Sequence, residues 1–136
     1  MSFTVKYKEI TMPHFNQSVK KVYQEHTFDD VKKAYTLKRL VEKIETEQKR
    51  FYEMYADIQK TFVVKDDEGK EMLDPEKQDE FRTKVEELGD TEITIEWHAL
   101  NIDDLAGSKL TALDLTMLEP ILDETSVASL QEPQQS

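Results

Sequence analysis

The chain has 136 residues, 38% hydrophobic and 35% charged, with a net charge of −11 and no cysteine. That size supports one domain with a modest core, and the lack of thiols excludes disulfides, thiol catalysis and cysteine-type zinc sites. No run approaches the ~20 apolar residues of a membrane-spanning helix, and Met1 to Lys8 contain no apolar stretch of signal-peptide length, so the chain reads as soluble and intracellular.

The charge is unevenly spread. Residues 1–60 hold 12 Lys and Arg against 9 Asp and Glu (+3), and residues 61–136 hold 6 against 20 (−14). An acidic half repels phosphate backbones, which argues against direct nucleic-acid binding, and it attracts basic protein surfaces.

Phe3, Val5 and Tyr7 alternate with Thr4, Lys6 and Lys8, which predicts a half-buried strand ending near Ile10. Pro13 suits the first turn of a short helix with Phe15, Val19, Val22 and Tyr23 on one face. The longest element runs from about Phe28 to Lys60. Val31, Tyr35, Leu37, Leu40, Val41, Ile44, Phe51, Tyr52, Tyr55, Ile58 and Phe62 recur at helical spacing with no Gly or Pro, and Gln48 fills the gap. Thr27 with Asp30 has the spacing of an acidic capping box. Such a helix is roughly 50 Å long at ~1.5 Å per residue, and its apolar face needs cover.

Gly69 within Lys65–Lys70 marks a turn, and two expectations stand for it: short strands at 62–65 and 70–73, or a mobile tip. Asp74, Pro75 and Glu76 start a second helix, about Pro75 to Leu88, with Phe81, Val85 and Leu88 inward and Gly89 at its end. This return arm is less than half as long as the first helix. The N-terminal helix covers part of the remainder, and the mismatch predicts a homodimer. Ile93, Ile95 and Trp97 alternate as a second strand, expected to pair with the first. A short helix or turn follows at Leu100–Leu105, and Gly107 breaks the chain. Thr116 and Glu119 have capping-box spacing before a helix carrying Leu118, Ile121 and Leu122. Residues 125–136 are polar and are expected to form a disordered tail after a single domain, 1–124.

Three glycines cannot build a phosphate-cradling loop, and His14, His26 and His98 stand apart without zinc-ligand spacing. The run Asp66–Gly69 fails the register of a calcium loop. No enzyme, metal or cofactor is expected. The candidate partner-binding residues form two sets. An acidic one comprises Asp66, Asp67, Glu68, Glu71, Asp74, Glu76, Asp79 and Glu80. A helix and aromatic one comprises Tyr52, Met54, Tyr55 and Trp97, since aromatic anchors dominate binding surfaces.

The stretches Val31–Glu45, Lys65–Lys70, Phe81–Leu88, Glu92–Ile95, Ile102–Gly107, Leu110–Leu115 and Leu118–Leu122 together resemble a family of small acidic proteins of tailed bacteriophages. The resemblance covers about residues 28–124. It implies a phage origin and an accessory, assembly or host-interaction role, in the host cytoplasm or the virion, and it supplies no catalytic residues. The expected fold is α+β: a long helix packed antiparallel on a shorter one, with a small sheet and short terminal helices. The expected function is non-enzymatic and rests on protein partners. One reading is a virion or assembly component binding phage structural proteins. The other is an acidic inhibitor that imitates nucleic-acid charge against a basic host protein.

Overall fold

The computed structural model describes residues 1–123; the expected tail at 125–136 lies outside them. The chain is a mixture of helix and two-stranded sheets built on one long helix. Strand β1 (Phe3–Lys6) buries Val5 and is shorter than the alternation predicts, because the chain turns into the single-turn helix α1 (Tyr7–Ile10). The cause is local. The Glu9 carboxylate accepts the Lys6 N–H at 2.7 Å and caps a helical turn there, with Tyr7 and Ile10 both inward.

Helix α2 (Pro13–Lys20) begins on Pro13 as expected and continues as a π-helical turn, Lys21–Glu25. Phe15, Val19 and Val22 are buried, but Tyr23 is not; it lies at the edge of that face and turns outward within the π turn.

Helix α3 (Val31–Phe62) is 32 residues long. Its cap is Asp30 rather than Thr27: Asp30 is extended and its carboxylate accepts the Lys32 N–H at 2.8 Å. The joint before it is pinned, with His26 Nε2 2.8 Å from the Asp104 carbonyl and the Phe28 ring edge-on to His26. Residues 28–30 are therefore held out of the helix. Leu37, Leu40, Ile44, Phe51 and Phe62 form the buried face. Val31, Tyr35 and Tyr52, expected on that stripe, are exposed. At about 100° per residue, Val31 lies on the opposite side from Leu40, and Tyr52 is a quarter turn past Phe51. Gln48, the polar gap, has a task. Its amide nitrogen donates to the Ile10 carbonyl at 2.7 Å and to Asn16 Oδ1 at 2.8 Å.

Strands β2 (Val63–Lys65) and β3 (Glu71–Leu73) pair antiparallel across Gly69, whose φ of +80° suits a residue without a side chain. Asp74 caps a 3₁₀ turn, Pro75–Lys77, that leads into α4 (Gln78–Asp90). Phe81 lies edge-on to Tyr55 and Phe62, so α4 packs on the distal end of α3. Phe81, Val85 and Leu88 are half-buried. Gly89 does not end the helix; it is buried inside it, and an added Cβ would stand 3.4 Å from Lys8 Cβ. The small residue lets α1 and α4 approach closely.

Strand β4 (Glu92–Ile95) pairs antiparallel with β1, Phe3 opposite Ile95 and Val5 opposite Ile93. A 3₁₀ turn (Ile102–Leu105) follows, and then helix α5 (Ala112–Leu118). The capping box of α5 is Thr111 with Asp114, not Thr116 with Glu119. Thr116 sits inside the helix with its hydroxyl donating to the Ala112 carbonyl. Pro120 falls in a closing 3₁₀ turn, Glu119–Ile121. One hydrophobic cluster joins Val5, Ile10, Phe15 and Val22 to Leu40 and Ile44 of α3 and to Leu118 and Ile121. Each such side chain contributes about 1.5–3 kcal/mol by burial. The proximal half of α3 is thus covered by the chain's own N- and C-terminal segments, which meets the length mismatch internally.

Candidate functional site

The eight acids of the first set lie on one distal arm: the β2–β3 hairpin, the 3₁₀ turn and the first turn of α4. Over residues 66–80 only Lys70 and Lys77 oppose them, a net charge of −6. They are not equivalent. One Asp66 oxygen accepts the N–H groups of Glu68 and Lys70 at 2.9 and 2.8 Å, and Asp74 accepts that of Glu76 at 3.0 Å, so these two build the backbone. Glu68 lies 4.0 Å from Lys70, and Asp79 lies 3.9 Å from Arg82. Asp67, Glu71, Glu76 and Glu80 are exposed and have no ion-pair partner among the described residues. Between the acids lies an apolar pair that sequence reasoning did not single out. Val64 and Met72 are directly opposite across the hairpin and 38% and 41% exposed, so their side chains share its outer face. The period-two pattern of β2 held the signal, since Val63 and Val64 cannot both face inward.

The second set is not brought together. Tyr52 and Met54 are exposed, two positions apart and so about 200° apart around the axis. Tyr55 is half-buried, stacked on Phe51 and met edge-on by Phe81. Trp97 sits near the other end of α3, with its indole N–H donating to the Thr36 carbonyl at 2.9 Å and the Arg39 guanidinium 5.9 Å from its ring centre. Sixteen residues of helix, roughly 24 Å, separate Thr36 from Tyr52. Tyr55 and Trp97 are built into the scaffold.

Trp97 instead forms part of a groove of about 710 Å³ at the proximal end. Leu37 and Leu40 line its interior, with Phe28 and Trp97 beside them. Lys33 stands at its edge, 3.2 Å from Asp104 and 3.3 Å from Asp29; those hydrogen bonds hold its ammonium pKa above the ordinary lysine value. His98 is exposed, with Nδ1 3.1 Å from Met1 Sδ.

A fourth cluster was not foreseen. The fully buried Asp114 accepts hydrogen bonds from Ser18 Oγ at 2.8 Å, Lys21 Nζ at 2.6 Å, the Thr111 N–H at 2.9 Å and Thr111 Oγ1 at 3.0 Å. The Lys21 hydrogen bond first, and the Thr111 backbone next, hold its carboxyl well below the usual range against the opposing effect of burial. Ser18 and Lys21 thus tie α2 and its π turn to α5 through this carboxylate, and Thr111 caps α5 on it.

Among the described residues no group of three or more His, Asp or Glu is placed to hold a metal ion, and no helix is long and apolar enough to cross a membrane. No protein-family model, no curated protein and no solved structure matches the chain. Its own surfaces carry the functional argument.

Proposed function

We propose that this chain is a non-enzymatic phage protein that works by binding other proteins, as a virion or assembly-associated component in the host cytoplasm or the particle. The distal arm supports this reading. The arm between α3 and α4 carries Val64 and Met72 as an exposed apolar pair, and Asp67, Glu71, Glu76 and Glu80 on the same arm have no ion-pair partner among the described residues. Interfaces of this kind have an apolar centre and a polar rim. A fitting partner presents a basic surface with an apolar contact at its middle, and a nucleic-acid backbone is repelled.

A tagged pull-down from phage-infected cells, washed at low and then high salt, tests it. Phage structural proteins retained at high salt and lost with Val64→Asp/Met72→Asp are the expected result. The second reading, an acidic inhibitor of a basic host protein, is supported by the −6 charge of residues 66–80. Its expected result is a host protein lost at high salt and lost on reversing Asp67, Glu71, Glu76 and Glu80 to Lys. Indifference of all captured proteins to both sets of substitutions overturns the arm as a binding surface.

A further inference from the structure

The β2–β3 hairpin has no third strand beside it among the described residues. Its register fixes which backbone groups are left over. The Asp66 N–H donates to the Lys70 carbonyl at 2.9 Å, and the Asp74 N–H donates to the Phe62 carbonyl at 2.9 Å. Along an antiparallel ladder, opposed residues alternate between bonded and non-bonded pairs. Val64 with Met72 is therefore the bonded pair between those two, while Val63 with Leu73 and Lys65 with Glu71 are non-bonded. The N–H and C=O groups of Glu71 and Leu73 thus point away from β2. Among the described residues they take no hydrogen bond from outside the hairpin.

The two edges differ. Strand β2 follows directly on α3 and presents Lys65, whose charge turns away a basic strand. Strand β3 offers Glu71 and Leu73 in alternation, with Met72 between them on the outer face beside Val64. An open edge of this kind is a template for an added strand. Charge selects what adds. A second copy would bring its own residues 66–80, again at −6, against the first, and the two repel. A basic segment is attracted.

We propose that the β3 edge, Glu71–Leu73, binds an extended basic segment of a partner protein as a third strand. An apolar side chain of that segment lies beside Met72, and a Lys or Arg side chain lies beside Glu71. The inference rests on the distal arm being a partner surface, as proposed above, and specifies the mode. Main-chain hydrogen bonds supply affinity, and the alternating side chains supply selectivity.

The probe is the acetylated, amidated peptide Lys-Val-Lys-Val-Lys-Val-Lys, added to the isotope-enriched full chain at low salt. With the peptide at about ten times its Kd, hydrogen exchange of the Glu71 and Leu73 amides should slow about ten-fold, with the Lys65 amide unchanged. Glu71→Pro removes an outward N–H and spares the ladder bonds of the hairpin. It should weaken the peptide about five- to ten-fold more than Glu71→Gln, which loses the same charge. The Asp66 and Asp74 amide signals report that the hairpin persists. Two modified peptides complete the test without altering the protein. N-methylation of the lysines removes the donors that face β3 and should abolish the protection, while N-methylation of the valines, whose N–H groups face away, should leave it. Binding without protection of Glu71 and Leu73, equal binding by the two N-methylated peptides, or no binding of the parent peptide overturns strand addition. The acidic arm as a partner surface is judged separately, by the substitutions at Val64, Met72 and the four acids. Protection that appears in the chain alone and grows with its concentration also overturns the proposal, because the occupant is then a second copy.

Discussion

Asp114 carries the heaviest duty of any single side chain, because it is buried and accepts four hydrogen bonds, two from Ser18 and Lys21 that join α2 and its π turn to α5 and two from Thr111 that cap α5. Replacing it with Ala should cost about 3 kcal/mol at neutral pH. That is the lower end of the range for breaking a buried pair, since the partner Lys21 is 37% exposed and regains water. Its lowered pKa sets the sign of the pH dependence. The contribution is complete above the unfolded aspartate pKa of about 3.9 and is lost as the pH falls toward the folded value. Urea unfolding between pH 7 and pH 2 should show this acid loss, and Asp114→Asn should flatten it. Gln48 offers a second test at this scale. The apolar pattern alone suggests that Gln48→Leu completes a stripe and stabilises. The hydrogen bond to the Ile10 carbonyl predicts a loss of about 1–2 kcal/mol instead, the cost of leaving a half-buried acceptor unpaired. Neither role was legible in the sequence beyond the local spacing of Thr111 and Asp114. Ser18 and Lys21 meet Asp114 across more than 90 residues, and only the fold brings them there.

The capping-box spacing put the cap of α3 at Thr27, and the structure puts it three residues later at Asp30. Thr27 and Asp30 both have short side chains that accept hydrogen bonds, and the outcome was decided by His26 and Phe28 tying the joint to the Asp104 segment. Asp30→Ala should therefore cost about 1 kcal/mol, while Thr27→Ala should stay within about 0.5 kcal/mol of the parent. Thermal unfolding of the two variants distinguishes the caps. The body of α3 was legible because 32 residues without Gly or Pro keep one period, and the acidic hairpin because Gly69 sits where a left-handed turn residue is needed. The end of β1 was not legible, since a single hydrogen bond from Lys6 to Glu9 outweighs the alternation that continues through Tyr7. Of the candidate site, the acids were legible as a run. Their division into those that build turns and those that face solvent came only with the backbone.

For the whole molecule, the uneven charge becomes a division of space: the acidic arm stands at one end of α3 and the groove at the other. Dimerisation was expected from the uncovered length of α3, but the chain covers that face itself, so a dimer must use another surface. Val31 and Tyr35, 86% and 55% exposed on the opposite side, are the proposed contact. Sedimentation at high micromolar concentration should then give twice the 16.0 kDa of one chain, falling to one with Val31→Asp/Tyr35→Asp. A single-chain mass at that concentration rejects self-association.

The pairing of Phe3 with Ile95 also sets a timetable. A ribosome adding about 5–20 residues per second takes roughly 5–20 s to make the partner of the first strand. Phe3 and Val5 spend that interval with no sheet to join, while α3 is already long enough to form. The newborn chain is thus most vulnerable to capture or aggregation at its earliest residues, and synthesis of Glu92 to Ile95 closes that window.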